Sequence, residues 1–327
     1  MVAFQGTPAR LVVTRRFAPA LMERFAAAGA WVNLDDEPLT AAEIAVTAAE
    51  HAADALVVTA TDRIDAALIA ALPPGVRVIA TCSVGHDHVD LAAARARGIA
   101  VLTTPDVLSD AVSEMAVLCL LGAARRAHEG ARLIYEGRWR GWSPTLLLGR
   151  DVTGGRLGVF GMGRIGRAVA RRLARGFDME VHYFNRSRLA PELEDGASYC
   201  DSAADLLAVS DFLVLAAPAT PETARFLNAD SIARLPPGAV VVNVARGGLV
   251  DDEALIAALR TGRVAAAGLD VFDGEPALHP GYLDLPNVFL QPHQGSATVG
   301  TRVRMGELLL DSVEAVLAGR EVGNRVA

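Results

Sequence analysis

Arg246, Glu275 and His293 each come shortly after an apolar segment that is typical of a buried strand. The carboxyl ends of parallel strands meet at one edge of a sheet, which is where such sheets bind ligands. Arginine can bind a carboxylate and polarise a carbonyl, histidine can donate a proton, and glutamate can keep that histidine charged. The set suits hydride transfer to a 2-oxo acid, although each residue taken alone also fits an ordinary ion pair or surface position.

A glycine-rich turn lies between a predicted strand, Leu157–Phe160, and an Ala/Arg/Leu-rich segment at 168–175 that predicts a helix. In this context the G-x-G-x-x-G pattern predicts a dinucleotide site, with the pyrophosphate at the helix N-terminus. The alternative is a glycine turn that binds nothing. The candidate cofactor-binding residues of the turn are Gly161, Met162, Gly163, Arg164, Ile165 and Gly166.

The next predicted strand, at 180–184, ends without the carboxylate that usually binds the ribose 2′-hydroxyl of NAD. Asn185, Arg186, Ser187 and Arg188 stand there instead. The planar guanidinium group of arginine matches phosphate oxygens, so the segment predicts that NADP(H) is the preferred cofactor, with NAD(H) possible. A solvated basic loop is the alternative.

Short strand-like and helix-like segments alternate along the chain, which predicts parallel sheets with helices on both faces. The predicted strands of the first third lie at 11–14, 31–34, 56–59, 76–81 and 99–102, and those of the second series at 157–160, 180–184, 212–216, 240–244, 265–269 and 288–290. The predicted helices lie at 18–28, 41–50, 64–71, 91–97, 301–317 and, as one long helix, from 109 to about 135. We therefore predict an α/β protein of two doubly wound parallel-sheet domains. Residues 1–105 with 296–327 form a flavodoxin-like domain, and residues 106–295 form a Rossmann domain.

The composition excludes several classes of protein. The 327 residues are 52% hydrophobic and 21% charged, as in a folded protein, and the net charge of −7 argues against nucleic-acid binding. The strongest apolar run, at 115–124, is too short to cross a membrane, and residues 1–10 lack the apolar core of a signal peptide. Three cysteines without metal-ligand or disulfide spacing predict reduced thiols, no metal and a cytoplasmic protein.

Four ordered motifs together resemble the D-isomer-specific 2-hydroxyacid dehydrogenases. They are Gly161–Gly166, Val242–Gly247, Gly268–Phe272 with Glu275-Pro276, and Pro292-His293 with Gly295–Thr298; Ser83–Gly85 with Asp87–Asp90 extends the resemblance over nearly the whole chain. The resemblance implies that the first domain binds substrate and the second binds NAD(P). It implies that Arg246, Glu275 and His293 are the catalytic set, that Arg246 and His293 also contact substrate, and that backbone N–H groups of Val84 and Gly85 hold the substrate carboxylate. Further implied cofactor contacts are Ala217, Pro218, Thr223, Val244, Ala245, Asp270 and Gly295.

Trp139, Trp142 and Pro144-Thr145 resemble the glyoxylate/hydroxypyruvate reductase branch, in which a tryptophan of a dimer arm reaches the partner's active site. This resemblance implies a homodimer with an arm around 125–150 and Trp142 as a substrate residue. Trp139 is the other candidate for this substrate contact. A third possibility is that both tryptophans only bury surface in the dimer interface. The activity implied is NADPH-dependent reduction of glyoxylate or hydroxypyruvate to glycolate or D-glycerate, with His293 as proton donor.

Two residues depart from the family pattern near the implied substrate. His86 stands where tyrosine or phenylalanine is common, and Gln294 replaces an apolar residue after the histidine. The identity of the 2-oxo acid therefore stays open. The alternatives are a D-3-phosphoglycerate dehydrogenase, another D-2-hydroxyacid dehydrogenase, an enzyme that oxidises phosphite or formate, or a dinucleotide-sensing protein like the corepressors that resemble this family.

Overall fold

The computed structural model describes residues 9–35 and 37–327. The chain forms two compact units: one runs up to Leu108 and resumes at Ser296–Ala327, and the other spans Ser109–Gly295. Each unit contains one sheet whose strands all pair in parallel. The predicted α/β fold class is confirmed.

The first unit has the flavodoxin-like strand order β2-β1-β3-β4-β5. Its strands are β1 (Leu11–Val13), β2 (Trp31–Val32), β3 (Ala55–Val58), β4 (Val78–Thr81) and β5 (Ala100–Leu102), and the helices between them are α1 (Pro19–Ala27), α2 (Ala41–Glu50), α3 (Ala66–Ala71) and α4 (Leu91–Ala96). Every residue of β3 and β4 is buried, as expected for central strands covered on both faces. Side chains of Thr40, Asp65 and Asp90 cap the N-termini of α2, α3 and α4.

The second unit contains a seven-stranded sheet with the order β12-β11-β10-β9-β6-β7-β8. Its strands are β6 (Arg156–Phe160), β7 (Glu180–Phe184), β8 (Ser198–Tyr199), β9 (Phe212–Leu215), β10 (Ala239–Asn243), β11 (Val264–Leu269) and β12 (Val288–Leu290), and its helices are α5 (Ser109–Ala124), α6 (Ala127–Tyr135), α7 (Arg164–Phe177), α8 (Pro191–Glu194), α9 (Ala203–Val209), α10 (Ala229–Ile232) and α11 (Asp252–Thr261). The strand order reverses at β6, which pairs with β7 on one side and β9 on the other. Ligands of doubly wound sheets bind at such a reversal.

Two predictions about this unit are wrong. The sheet has a seventh strand, β8, because two residues at a sheet edge are too few to give a periodic hydrophobic signal. The predicted helix from 109 to 135 is two helices, since Arg126 adopts a left-handed φ of +53° between α5 and α6. The side chain of Arg126 pairs with Glu129 in the first turn of α6.

A last helix, α12 (Val299–Leu317), returns to the first unit and packs against β4 and β5. Thr298 caps its N-terminus by accepting a hydrogen bond from the Thr301 N–H. None of the helices in the described ranges combines the length and the apolar composition needed to span a bilayer.

Candidate active site and cofactor-binding turn

The turn between β6 and α7 has the geometry that a dinucleotide pyrophosphate requires. Gly161 has a φ of +98°, and a Cβ there would lie 2.5 Å from the Ala217 nitrogen. A Cβ at Gly166 would overlap the carbonyl oxygen of Gly161, whereas one at Gly163 meets no described heavy atom within 4 Å. Two glycines thus pack the start of α7 against the sheet, and the third leaves space for phosphate at the helix N-terminus. The residues present therefore fit the pyrophosphate of a dinucleotide.

Met162 connects this turn to the end of β7. Its side chain is buried, and its N–H donates to Oδ1 of Asn185 at 2.7 Å. Arg164 is exposed and Ile165 half-buried in the first turn of α7. The side-chain oxygen of Asn185, predicted at the cofactor ribose, thus supports the backbone of the glycine turn.

The two arginines after β7 have different surroundings. Arg188 donates from Nε and Nη2 to the two carboxylate oxygens of Glu194, at 2.9 and 3.1 Å. The hydroxyl of Tyr183 donates to the same carboxylate at 2.6 Å. The hydrogen bonds from Arg188 and then Tyr183 lower the pKa of Glu194. Arg186 and Ser187 are exposed beside this pair.

The loop after β9 is stabilised by hydrogen bonds between its own residues. Thr223 donates from Oγ1 to the Pro218 carbonyl at 2.7 Å, and the same oxygen accepts from the Thr220 N–H at 2.8 Å. Ala217 is buried against Gly161. These contacts place Ala217 and Pro218 next to the glycine turn.

The segments after β11 and β12 bring Glu275 and His293 together. Nδ1 of His293 lies 2.7 Å from Oε2 of Glu275, and the other carboxylate oxygen accepts from the Phe272 N–H at 2.8 Å. Burial acts to raise the pKa of Glu275, but the hydrogen bonds from His293 and Phe272 and the charges of His293 and Arg246 outweigh it. The net effect is a pKa below the usual value. Glu275 is therefore an ionised acceptor at neutral pH.

Asp270 holds the backbone next to His293. It is 1% exposed, and its two carboxylate oxygens accept the N–H groups of Gln294 and Gly295, both at 2.7 Å. Burial raises the pKa of Asp270, and these hydrogen bonds and the charge of His293 act in the opposite direction. His293 itself has a φ of +54°, so the buried carboxylate stabilises a turn with an uncommon backbone conformation.

Arg246 follows β10 in a turn that Asn243 supports. The Asn243 side chain donates to the Arg246 carbonyl at 2.9 Å and accepts from the Ala245 N–H at 3.0 Å. The Arg246 Nη1 donates to the Ala245 carbonyl at 2.8 Å. Val244 is buried in the same turn, and Arg246 is half-buried. The strand end and the buried amide together position the guanidinium group.

Gly247 allows the turn after β10 to pack against the segment that carries Glu275. A Cβ at Gly247 would overlap the backbone of Phe272 and Asp273. Only glycine permits this approach, so Arg246 and Glu275 lie on two segments in direct backbone contact.

Val84 and Gly85 lie in the first unit, in the loop that follows β4. Val84 is 38% exposed, and the Ser83 hydroxyl donates to the Gly85 carbonyl at 2.6 Å. Among the described residues, the N–H groups of Val84 and Gly85 donate to no protein acceptor. Both N–H groups can therefore donate to a ligand, and their assignment to the substrate carboxylate stays a prediction.

Known proteins resemble this chain over most of its length. The model of the D-isomer specific 2-hydroxyacid dehydrogenase NAD-binding domain matches residues 117–295. A glycerate dehydrogenase of Hyphomicrobium methylovorum is 44% identical over 295 residues, covering 90% of this chain and 91% of the relative. The chain belongs to the D-isomer-specific 2-hydroxyacid dehydrogenase family.

Two further relatives confirm the resemblance to the glyoxylate/hydroxypyruvate reductase branch. A glyoxylate reductase of Thermococcus onnurineus (strain NA1) is 43% identical over 272 residues, covering 81% of this chain and 80% of the relative. The structure of the NADPH-dependent glyoxylate/hydroxypyruvate reductase of Sinorhizobium meliloti with NADP and malonate has a TM-score of 0.86 and 33% identity. That match covers 98% of this chain and 97% of the other. The protein is therefore a dehydrogenase of this family with a nicotinamide dinucleotide cofactor.

The segment from α6 to Arg150 exposes several large apolar side chains. Trp142 is 83% exposed and Trp139 is 55% exposed. The other exposed large apolar side chains of the segment are Ile134, Tyr135, Leu146 and Leu148. The dimer arm and the substrate role of Trp142 stay predictions.

Two residues support the site in ways that the sequence did not predict. Asn243 stood out only as part of a motif, although a buried amide in the apolar strand Ala239–Asn243 is a signal of its turn-supporting role. The resemblance implies only a cofactor contact for Asp270, whereas its carboxylate accepts hydrogen bonds from the Gln294 and Gly295 N–H groups. No sequence pattern marks a hydrogen bond between segments that far apart.

The three thiols are buried and free. Burial raises the pKa of Cys82 to about 11 and that of Cys119 to about 12, and it also raises the pKa of Cys200. Thiols with such pKa values carry little thiolate at neutral pH, so they act as small apolar side chains. The described residues contain no cluster of three or more His, Cys, Asp or Glu side chains suited to a metal ion.

Proposed function

We propose that this dehydrogenase reduces a short 2-oxo acid, glyoxylate or hydroxypyruvate, to the D-2-hydroxy acid, glycolate or D-glycerate, with NADPH preferred. The observation that carries the proposal is the 2.7 Å contact between His293 Nδ1 and Glu275, which leaves the other ring nitrogen for proton transfer. Relatives named glycerate dehydrogenase and glyoxylate reductase support the choice of substrates.

In the proposed mechanism His293 donates the proton. A reduced nicotinamide dinucleotide held at the glycine turn Gly161–Gly166 would supply the hydride for the carbonyl carbon. An ionised carboxylate can only accept hydrogen bonds, so Nδ1 of His293 carries its hydrogen toward Glu275. Nε2 then holds the second proton and transfers it to the carbonyl oxygen, while the charge of Glu275 stabilises the imidazolium that precedes transfer.

The substrate carboxylate is the group by which this enzyme would hold a 2-oxo acid. We assign its binding to the N–H groups of Val84 and Gly85 and to Arg246, which also polarises the carbonyl. The contacts of the Val84 and Gly85 N–H groups with the carboxylate would be the same before and during the reaction, so these two residues would contribute mainly to affinity. Trp142, from the partner chain of a homodimer, would complete the substrate pocket.

We assign the preference for NADPH to Arg186, which would bind the 2′-phosphate of the cofactor. Arg188 is paired with Glu194, and the side-chain oxygen of Asn185 accepts from Met162. Arg186 is exposed on the same loop. A guanidinium–phosphate interaction contributes about 1.5–3 kcal/mol, so Arg186→Ser should lower kcat/KM for NADPH by roughly ten- to a hundredfold and leave that for NADH nearly unchanged. Arg188→Ser is the matched variant and should have the smaller effect on the ratio.

The test of the whole proposal is the absorbance decrease of NADPH with glyoxylate, hydroxypyruvate, pyruvate, 2-oxoisocaproate and phenylpyruvate, repeated with NADH. We expect the highest kcat/KM for the two smallest acids with NADPH. Preference for the bulky acids would contradict the proposed substrate, and equal use of NADH would contradict the proposed cofactor preference. No turnover of any acid would contradict the reaction itself.

A further inference from the structure

We infer that a chain of hydrogen bonds from His88 through Thr81 and Ser83 positions the substrate-binding loop, and that Thr81 and Ser83 determine its affinity for the substrate carboxylate. The inference rests on the proposed function, because it takes Val84 and Gly85 as the donors to that carboxylate. It adds three residues that contact no substrate atom themselves.

The chain of hydrogen bonds lies directly beneath the loop. Nε2 of His88 is 2.8 Å from Oγ1 of Thr81, which is 2.9 Å from Oγ of Ser83. The Ser83 hydroxyl is 2.6 Å from the Gly85 carbonyl oxygen. Thr81 is fully buried and Ser83 is 7% exposed, so these contacts are protected from competition with water.

The number of hydrogens that each group can donate sets the direction of every bond in this chain of hydrogen bonds. A carbonyl oxygen can only accept, so the single hydroxyl proton of Ser83 goes to Gly85. Thr81 must then donate its own proton to Ser83, and it can only accept from His88. His88 therefore carries a proton on Nε2, and all three donors point toward the Gly85 peptide group.

The loop is also held at both ends by backbone hydrogen bonds. The Ser83 carbonyl accepts from the Thr104 N–H at 2.8 Å, and the His88 carbonyl accepts from the Ile64 N–H at 2.9 Å. Between these points, the Ser83 side chain donates a hydrogen bond to the loop backbone at the Gly85 carbonyl. A peptide group held through its carbonyl oxygen has a fixed orientation, since the peptide unit is planar. The Gly85 carbonyl belongs to the peptide unit that joins Gly85 to His86, so this hydrogen bond fixes the end of the short segment that presents the Val84 and Gly85 N–H groups.

Two substitutions at Thr81 separate the effect of losing the hydroxyl group from the effect of losing side-chain volume. Thr81→Val keeps the shape of the side chain and removes the hydroxyl, whereas Thr81→Ser keeps the hydroxyl and removes a methyl group. Thr104→Val is the matched control, because Thr104 is equally buried beside the loop and its Oγ1 has no hydrogen-bond partner among the described residues. Ser83→Ala removes the last hydrogen bond of the chain.

The affinity measurement uses oxamate, an unreactive compound with a carboxylate and a carbonyl group, titrated into the NADPH-bound enzyme. We expect Thr81→Val and Ser83→Ala to raise the Kd of oxamate and the KM of glyoxylate about tenfold with little change in kcat, since the contact is the same before and during reaction. Thr81→Ser and Thr104→Val should behave as wild type. A loss in Thr81→Ser as large as in Thr81→Val, or no loss in any variant, would overturn the inference.

A second readout is independent of turnover. The ¹⁵N shifts of His88, assigned by comparison with His88→Gln, should show a proton on Nε2 in the wild-type enzyme, and Thr81→Val should shift them. A neutral His88 with its proton on Nδ1 contradicts the inferred direction. If no 2-oxo acid is reduced but oxamate binding still depends on the Thr81 hydroxyl, the proposed function fails and the inference stands. Turnover of glyoxylate with unchanged affinities in all variants would support the proposed function and overturn the inference.

Discussion

His293 shows how strongly the residues of this site depend on their neighbours. Its φ of +54° is uncommon for a residue with a side chain, and the buried carboxylate of Asp270 stabilises the turn through the next two N–H groups. Glu275 then holds the ring at Nδ1. Two different carboxylates thus hold His293. Asp270, whose pKa is raised by burial, holds the backbone, and Glu275, whose pKa is lowered, holds the imidazole.

Glu275→Gln should reduce kcat by roughly a hundredfold, at the low end of the 10²–10⁴ that positioned proton transfer contributes. The amide still accepts a hydrogen bond but carries no charge to favour the protonated imidazole. The alkaline limb of the pH profile of kcat/KM should therefore move to lower pH. Because the folded-state pKa of Glu275 is lowered, its charge is present at neutral pH and is lost only as the pH falls through that lowered pKa.

The control for that variant is Glu253→Gln. Glu253 pairs with Nε2 of His279 at 3.0 Å in the same unit, and its side chain is 80% exposed. Its replacement should leave kcat and the pH profile as in the wild type. An unchanged profile in Glu275→Gln would refute the role assigned to this carboxylate.

At the scale of elements, the turns after the strands of the second unit carry the site, and glycine decides how closely they approach. Gly247 packs on the backbone of Phe272 and Asp273, while Gly248 next to it has open space at its Cβ position. Gly163 has the same open space at the start of α7. Substitution of these glycines should therefore separate packing from ligand binding.

Gly247→Ala should lower the free energy of unfolding by on the order of 3 kcal/mol, since the methyl group overlaps backbone atoms that cannot rotate away. Gly248→Ala should leave it nearly unchanged. Urea denaturation of the two variants measures the difference. Equal stability of both variants would show that the two turns can move apart at little cost.

Gly163→Ala should keep the stability of the wild type, because its Cβ meets no described atom within 4 Å. The methyl group would occupy space that we assign to the pyrophosphate, so the Kd of NADPH should rise about tenfold, or ~1.4 kcal/mol. Fluorescence titration with NADPH and thermal denaturation together test this. Wild-type affinity in a stable Gly163→Ala variant would place the pyrophosphate elsewhere.

At the scale of the whole molecule, the packing of one chain leaves large apolar side chains between Ile134 and Leu148 exposed. Six large apolar side chains exposed within fifteen residues are typical of an interaction site. Light scattering should give a mass twice the 34.3 kDa of one chain. A monomer at micromolar concentration would contradict the proposed homodimer.

Trp142→Ala should reduce kcat/KM for glyoxylate about tenfold, roughly 1.4 kcal/mol, in a protein that is still dimeric. Trp139→Ala is the comparison, and it should leave kcat/KM close to that of the wild type. The reverse order would assign the substrate contact to Trp139. Wild-type kinetics in both dimeric variants would leave the two tryptophans with a purely structural role.

Local patterns of residues are enough to predict the two parallel sheets, the glycine turn and the family. Strand and helix periodicity is local, and the motifs around Gly161, Arg246 and His293 are short segments whose residue types are readable without coordinates. The same local patterns missed β8 and the break at Arg126, because two edge residues and one left-handed φ leave no periodic trace.

Which polar groups hydrogen-bond to one another depends on how the chain folds. Arg186 and Arg188 are equivalent in sequence, but the fold pairs Arg188 with Glu194 and leaves Arg186 exposed. Asp270 holds the turn after His293, and the hydroxyl groups of Thr81 and Ser83 hold the Gly85 peptide. Hydrogen bonds require donor and acceptor to meet within about 3 Å, a condition set by how the folded segments pack and by no property of residue type or spacing.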